Sequence, residues 1–242
     1  MWIYGINPVL EAIRSGRNIK EIYLSSGRHE KLSLIRETIG IKEIPLKIVD
    51  INFFDERFPK GHQGIAAKVS EKGYVDLYEL LNISEKKNEV PFFLILDCIE
   101  DPRNFGAILR SADAVGVHGV VIQSHRSAGL GPEVSKTSSG AVEYVPVSQV
   151  SNIKNAISEM KKMDIMIVGA EAGSRNMPWD IDLSIPLGLV IGSEGKGLRK
   201  TVLEKCDVII SLPMRGKINS LNVSVASAAL MFEILRQRER KQ

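Results

Sequence analysis

Short apolar runs broken by turn residues dominate the first part of the chain, and continuous apolar runs separated by helical periodicity dominate the rest. VLEAIRSG follows Asn7-Pro8 and closes at Gly16, the spacing of a short helix that Asn7 is placed to cap, Pro8 to start and Gly16 to end. IKEIYLS (19–25) predicts a strand, HEKLSLIRETIG (29–40) a helix, and LKIVD (46–50) and IAAKVS (65–70) two more strands. Residues 71–90 are charged and rich in turn formers, with a short helical stretch around VDLYELL, and read as a linker. Beyond it FFLILD (92–97), GVVIQ (119–123), IMIVGA (165–170), LGLVIG (187–192) and DVIISLP (207–213) are the uninterrupted apolar runs of strands buried on both faces. Helical patterns separate most of them. The expected fold is α/β, with a small domain over 1–70, the linker 71–90 and a larger domain over 91–242 built on a mainly parallel sheet with crossover helices.

Composition adds limits rather than direction. With 44% hydrophobic and 25% charged residues the chain has ordinary globular usage, which excludes a disordered protein. Cys98 and Cys206 lie in or beside apolar runs without ligand spacing, so both read as core-facing thiols and no metal site is expected. There is no apolar stretch of membrane-spanning length and no signal-peptide pattern at the start, so a soluble cytoplasmic protein is expected. The net charge is +3, and because residues 1–70 carry 11 basic and 8 acidic side chains, the excess sits in the N-terminal third. Such a bias suits a surface that meets phosphates, as it suits a merely solvated face.

Three segments carry candidate chemistry. In LDCIEDPRNFGAILRSADAVG (96–116) a strand end runs into a helix that Asp101 caps and Pro102 starts, with Phe105, Ile108, Leu109, Ala112 and Val115 on its buried face and Asn104 and Arg110 left polar. In LVIGSEGKGLRKTVLEKC (189–206) a buried strand breaks into a glycine-rich loop that lets a ligand approach the backbone; it fits neither a dinucleotide fingerprint nor a P-loop, and it is equally the form of a tight strand-to-helix turn. In ISLPMRGKINSLNVSVASAALMFEILRQ (210–237) a basic loop and the run Asn219-Ser220-Leu221-Asn222 precede a long helix whose small residues allow close packing. Capping that helix needs only one of them, Asn219 or Ser220.

Taken together, DPRNFGAILRSADAVG, GSEGKGL and SLPMRGKINSLNVSVASA resemble, in order and wording, the three motifs of the SpoU/TrmH group of SPOUT RNA 2′-O-ribose methyltransferases. YGINPVLEAI and HQGIAA additionally resemble the ribosomal-protein-like substrate-binding domain of the RlmB-like subgroup, which methylates a guanosine ribose of 23S ribosomal RNA. The resemblance implies a trefoil knot in the larger domain, S-adenosylmethionine as cofactor, a homodimer, and neither metal nor membrane. Carried over by motif, Gly192, Leu212 and Leu221 line the donor site, and Asn104, Arg110, Glu194, Ser220 and Asn222 occupy the active-site positions. Arg14, Arg17, Lys20, Arg28, His62 and Gln63 are chosen from charge as RNA contacts of the small domain.

In-line transfer of a sulfonium methyl requires that the acceptor hydroxyl be held and its proton removed. A guanidinium, with a pKa above about 12, is a poor base at neutral pH, so Arg110 is expected to clamp the target phosphate and orient the 2′-hydroxyl. The motifs do not specify the RNA. A transfer-RNA or antibiotic-resistance ribosomal-RNA methyltransferase, and a catalytically silent RNA-binding ribosome assembly factor, are the alternatives; a nucleotide-dependent dehydrogenase lacks its fingerprint.

Overall fold

In the computed structural model, which describes residues 1–27, 29–40, 44–218 and 220–241, the chain forms two units, one of residues 1–73 with 129–144 and one of residues 74–128 with 145–242. The first unit begins with β1 (Trp2–Tyr4), α1 (Ile6–Arg14), β2 (Ile19–Ser25), α2 (His29–Ile39), β3 (Leu46–Val49), α3 (Asn52–Asp55) and β4 (Ile65–Val69). Its sheet has the order β1-β4-β2-β3, parallel between β2 and β3 and antiparallel elsewhere. Side chains alternate across a strand, so each strand serves two faces. Ile3, Ile22, Leu24, Ile65 and Ala67 meet Val9, Leu10 and Ile13 of α1 in an aliphatic core. The opposite face carries Trp2, Tyr4, Tyr23 and Ala66 against Phe53, Phe54 and Phe58.

α1 starts two residues before the expected Pro8, and Asn7 is not its cap. Gly5 turns the chain at φ 97°, where an L side chain is strained, and the Gln63 side-chain oxygen accepts the Ile6 N–H at 3.0 Å. The cap comes from far along the sequence, which local reading does not see.

The second unit holds α4 (Leu77–Leu81), α5 (Ile83–Lys87), β5 (Phe92–Leu96), α6 (Pro102–Ala114) and β6 (Gly119–Gln123); α7 (Pro132–Thr137) then packs with the first unit, and β7 (Val147–Val150), α8 (Ile153–Lys162), β8 (Met166–Ala170), β9 (Leu187–Ile191), α9 (Lys200–Leu203), β10 (Val208–Ile210) and α10 (Val223–Glu239) complete the second. Six strands lie in the order β10-β8-β9-β5-β6-β7, with every neighbouring pair parallel. β5, β6 and β9 are buried along their whole length, the reason their sequences lack alternation. The α/β class and the parallel sheet are as the apolar runs predicted. β1, β7, α3 and α7 were not anticipated, being three to six residues long and too brief for a period to register.

Residues 129–144 are tied into the first unit by side chains. The Arg17 guanidinium pairs with Glu143 at 2.6 Å, with the two side chains 5% and 0% exposed, and it also donates to the Ser70 carbonyl. Tyr144 donates to Glu11 at 2.6 Å, and Lys136 to the Gly61 carbonyl at 2.7 Å. Among the described residues no helix is long and apolar enough to cross a membrane. Removing Arg17 would leave the buried Glu143 carboxylate with the more distant Lys72, at 3.6 Å, as its remaining ion-pair partner among the described residues. Arg17→Met should therefore cost about 3 to 5 kcal/mol, read as a lower urea midpoint for the first unit; an unchanged midpoint would show that the pair is energetically neutral.

Candidate active site

The winding of the parallel sheet reverses between β5 and β9, since β6 and β7 extend it on one side and β8 and β10 on the other. Loops leaving the carboxyl ends of strands diverge at such a switch point and open a crevice. Two of the three motif segments leave the sheet there, from β5 and β9, and the third follows β10.

The β9 loop turns back on itself as a hairpin, in which Ser193 and Gly197 exchange backbone hydrogen bonds of 3.1 and 2.9 Å. Gly192 is what permits the turn, because a Cβ there would overlap the Gly197 carbonyl group and the Leu198 nitrogen. Gly197 adopts φ +64° beside the Glu171 carboxylate, which also leaves no room for a side chain. Glu171, at the end of β8, accepts the Leu198 N–H at 2.8 Å and so fixes the loop's exit.

A second carboxylate secures the same exit from the β5 side. Asp97 is buried and accepts two hydrogen bonds from Arg199, from its backbone N–H at 3.0 Å and from Nε at 2.7 Å, with the terminal nitrogen in ion-pair contact at 2.6 Å. Arg199 reaches Gln123 as well, and the Asp97 contact holds the guanidinium pKa above its ordinary value. Neither Glu171 nor the Asp97–Arg199 pair was anticipated. The available signal was an acidic residue placed directly after a buried apolar run, in FFLILD and IMIVGAE. Cys98 also departs from expectation: it is half-buried at φ 62° with Sγ 3.6 Å from Asp97, at the strand end rather than in the core. Cys206 does pack against the core, and burial pushes its thiol up to about 11.

The three motifs meet in a triangle of side chains. Asn222 Nδ2 donates to Asn104 Oδ1 at 3.0 Å and to Glu194 Oε2 at 3.4 Å, and Asn104 Nδ2 donates to Glu194 Oε2 at 3.2 Å. Asn104 is held in the first turn of α6, which Asp101 caps and Pro102 starts as predicted. Asn222 caps α10 by accepting the Ser224 N–H at 3.0 Å. This corrects the expectation that Asn219 or Ser220 caps that helix; Asn219 lies outside the described residues.

Beside the triangle is a cavity of about 250 Å³ between the Gly192 loop, the Ser211–Leu212 strand end and the start of α10. Gly192, Glu194, Leu212, Ser220 and Leu221 line it, with Ile191, Val223 and Leu230 as apolar wall. Arg110 lies six residues beyond Asn104 on α6 with its side chain exposed.

The charge-chosen residues of the first unit fare differently. Arg14 is exposed and bonded to Glu11, and Lys20 is exposed on β2. Arg17 is consumed in the buried pair with Glu143, which corrects its placement as an RNA contact. The same holds for His62, which is 8% exposed, stacks on Phe54, and meets the Gly64 N–H and Asp55. Gln63 caps α1, and Arg28 lies outside the described residues. Gly192→Ala should open the hairpin, seen as faster amide exchange at Gly197 and Leu198; unchanged protection there would show that the turn tolerates a side chain.

With this geometry in place, comparison with known proteins gives one answer. Residues 91–232 match the model of the SpoU rRNA methylase family, and residues 2–75 match RNA 2′-O ribose methyltransferase substrate binding. YacO of Bacillus subtilis, assigned to the TrmH family of tRNA/rRNA methyltransferases, is 42% identical over 98% of this chain and 96% of its own length. The crystal structure of the SpoU methyltransferase AviRb from Streptomyces viridochromogenes in complex with AdoMet superposes with a TM-score of 0.82, at 24% identity over 99% of this chain and 91% of that one, and so shares the fold. The TrmH/SpoU tRNA modifying enzyme of A. aeolicus is 31% identical with a TM-score of 0.58, over 68% of this chain and 83% of that one. The segments that converge on Asn104, Glu194 and Asn222 are thus those of an RNA methyltransferase, and the chain belongs to the SpoU rRNA methylase family.

Proposed function

We propose that the protein transfers a methyl group from S-adenosylmethionine to the 2′-hydroxyl of a ribose in ribosomal RNA, releasing S-adenosylhomocysteine and giving the hydroxyl proton up to solvent, with a guanosine of 23S RNA as the favoured target. The observation that carries this reading is the triangle of Asn104, Glu194 and Asn222, whose Glu194 also lines an apolar-walled cavity. The residues present fit the donor. Ile191, Leu212, Val223 and Leu230 offer an apolar slot for adenine, Gly192 offers backbone groups without bulk, and Glu171 and Glu194 bring carboxylates to the lining that suit a cationic donor. S-adenosylmethionine supplies an electrophilic methyl on a sulfonium.

The chain's own task is positioning, which in an in-line displacement supplies much of the rate. Arg110 clamps the phosphate beside the target ribose, and its planar fork holds that phosphate at two oxygens. The 2′-hydroxyl is thereby aimed at the methyl carbon. Asn104 and Asn222 hold each other and Glu194, so the sugar meets a fixed polar wall, and Ser220, which lines the neighbouring cavity, adds a hydroxyl beside it. Gly192, Leu212 and Leu221 hold the donor. The enzyme works in the cytoplasm as a homodimer with its donor site in a trefoil knot; exposed Val225 and Phe232, two turns apart on α10, give a second copy an apolar surface to cover.

A transfer-RNA ribose is the second reading, supported by the likeness to the A. aeolicus enzyme. Labelled methyl groups transferred to total RNA should appear in alkali-resistant dinucleotides from ribosomal RNA, because a methylated 2′-oxygen cannot attack the adjacent phosphate. Label in alkali-labile mononucleotides would place the methyl on a base and refute the ribose, and label confined to transfer RNA would establish the second reading. Arg110→Lys keeps the charge and loses the fork; turnover should fall on the order of 10²-fold with donor affinity unchanged, whereas full activity would remove the clamp.

A further inference from the structure

The sheet of the first unit has two unlike faces, and only the aliphatic one is covered by α1 and α2. On the other, Phe54 and Ala66 are fully buried and Tyr4 nearly so, which fastens α3 to the strands. Trp2, Tyr23, Phe53 and Phe58 remain half-exposed. Tyr23 and Phe53 stack with centroids 5.0 Å apart and planes 5° from parallel, and Trp2 meets Tyr23 at 5.2 Å. Each stacked ring carries a cation, the Arg57 guanidinium 4.3 Å from the Phe53 centroid and the Lys47 ammonium 5.3 Å from that of Tyr23. Lys68 stands across from Trp2 in the β1–β4 register, and all three cations are exposed.

A small core accounts for Phe54 and Ala66. It does not account for partly exposed rings laid parallel and overlaid by cations. Glu21 lies 2.5 Å from Lys47 and Glu56 lies 3.3 Å from Arg57, so the patch is not a strong polyanion site. The Arg57 guanidinium lies over the Phe53 ring and the Lys47 ammonium over that of Tyr23, so an unpaired nucleobase would stack on the exposed guanidinium and on Trp2, with its flanking phosphates meeting the cations. We infer that Trp2 and the Arg57 guanidinium, backed by the stacked Phe53 and Tyr23 rings and flanked by Lys47 and Lys68, form a stacking platform for an unpaired base of the RNA substrate. The inference rests on the RNA reading above and moves the RNA contact of this unit away from Arg17 and His62, whose side chains are engaged internally. A duplex, with its bases already paired and stacked, gains nothing from the platform.

Trp179→Phe leaves Trp2 as the single tryptophan of the full chain and makes its emission the probe. An unstructured single-stranded oligoribonucleotide should quench it, and a blunt duplex of the same length should not. Phe53→Leu in that background should weaken single-strand binding about tenfold while leaving the calorimetric affinity for S-adenosylmethionine unchanged. Because Phe53 also packs against Phe54, the surface change Arg57→Glu with Lys68→Glu is the companion variant, with weakening in the same direction. Single-stranded RNA that binds without quenching Trp2, or binds both variants as tightly as the parent, overturns the platform and leaves the RNA reading standing. A chain that binds S-adenosylmethionine but no RNA overturns both.

Discussion

One set of side-chain hydrogen bonds joins three stretches that lie far apart in the sequence, and the candidate site is built around it. Asn104 opens α6, Glu194 sits at the tip of the β9 hairpin, and Asn222 caps α10. Each is placed by a local device, namely a capped helix start, a glycine turn and a second cap, and none of these devices refers to the others. The triangle makes them one object. Asn222 carries a double duty, since its oxygen holds the α10 backbone while its nitrogen reaches across to Asn104 and Glu194.

The hairpin that presents Glu194 is the sterically tightest part of this arrangement. Gly192 and Gly197 sit where a Cβ would collide with backbone or with Glu171, and the exit of the loop is held from two sides by carboxylates, Glu171 on Leu198 and Asp97 on Arg199. Buried carboxylates are costly unless fully bonded, and Asp97 receives two hydrogen bonds and an ion-pair contact from a single residue. The expense is compensated by a loop fixed against the carboxyl edge of a parallel sheet, at the point where its winding reverses. Pre-positioned polar groups in such a crevice need no reorganisation when a reaction develops charge beside them.

Much of this was legible in the sequence. The buried strands showed as unbroken apolar runs, the start of α6 as Asp-Pro, and the segments that carry Asn104, Glu194 and Asn222 as motifs; that these three side chains bond to one another is what the structure adds. What escaped was everything that depends on partners remote in sequence. Gln63 caps α1 across more than fifty residues, Glu143 takes Arg17 out of solvent, and residues 129–144 build into the first unit although they stand within the segment that continues the methylase motifs. Charge alone was a poor guide to exposure. A basic residue is selected by its chemistry but placed by packing, so Arg17 and His62 went to structural roles while the half-exposed aromatic rings, silent in a charge count, remained at the surface.

The central claim is that Asn104 and Asn222 act as one unit in fixing Glu194, which lines the cavity proposed for the donor. A double-mutant cycle of Asn104→Ala and Asn222→Ser, in which serine keeps the α10 cap and removes the bridging amide, tests it directly through calorimetric affinity for S-adenosylmethionine. The account predicts a coupling of roughly 1 kcal/mol or more between the two positions. Effects that add, to within about 0.3 kcal/mol, would contradict it.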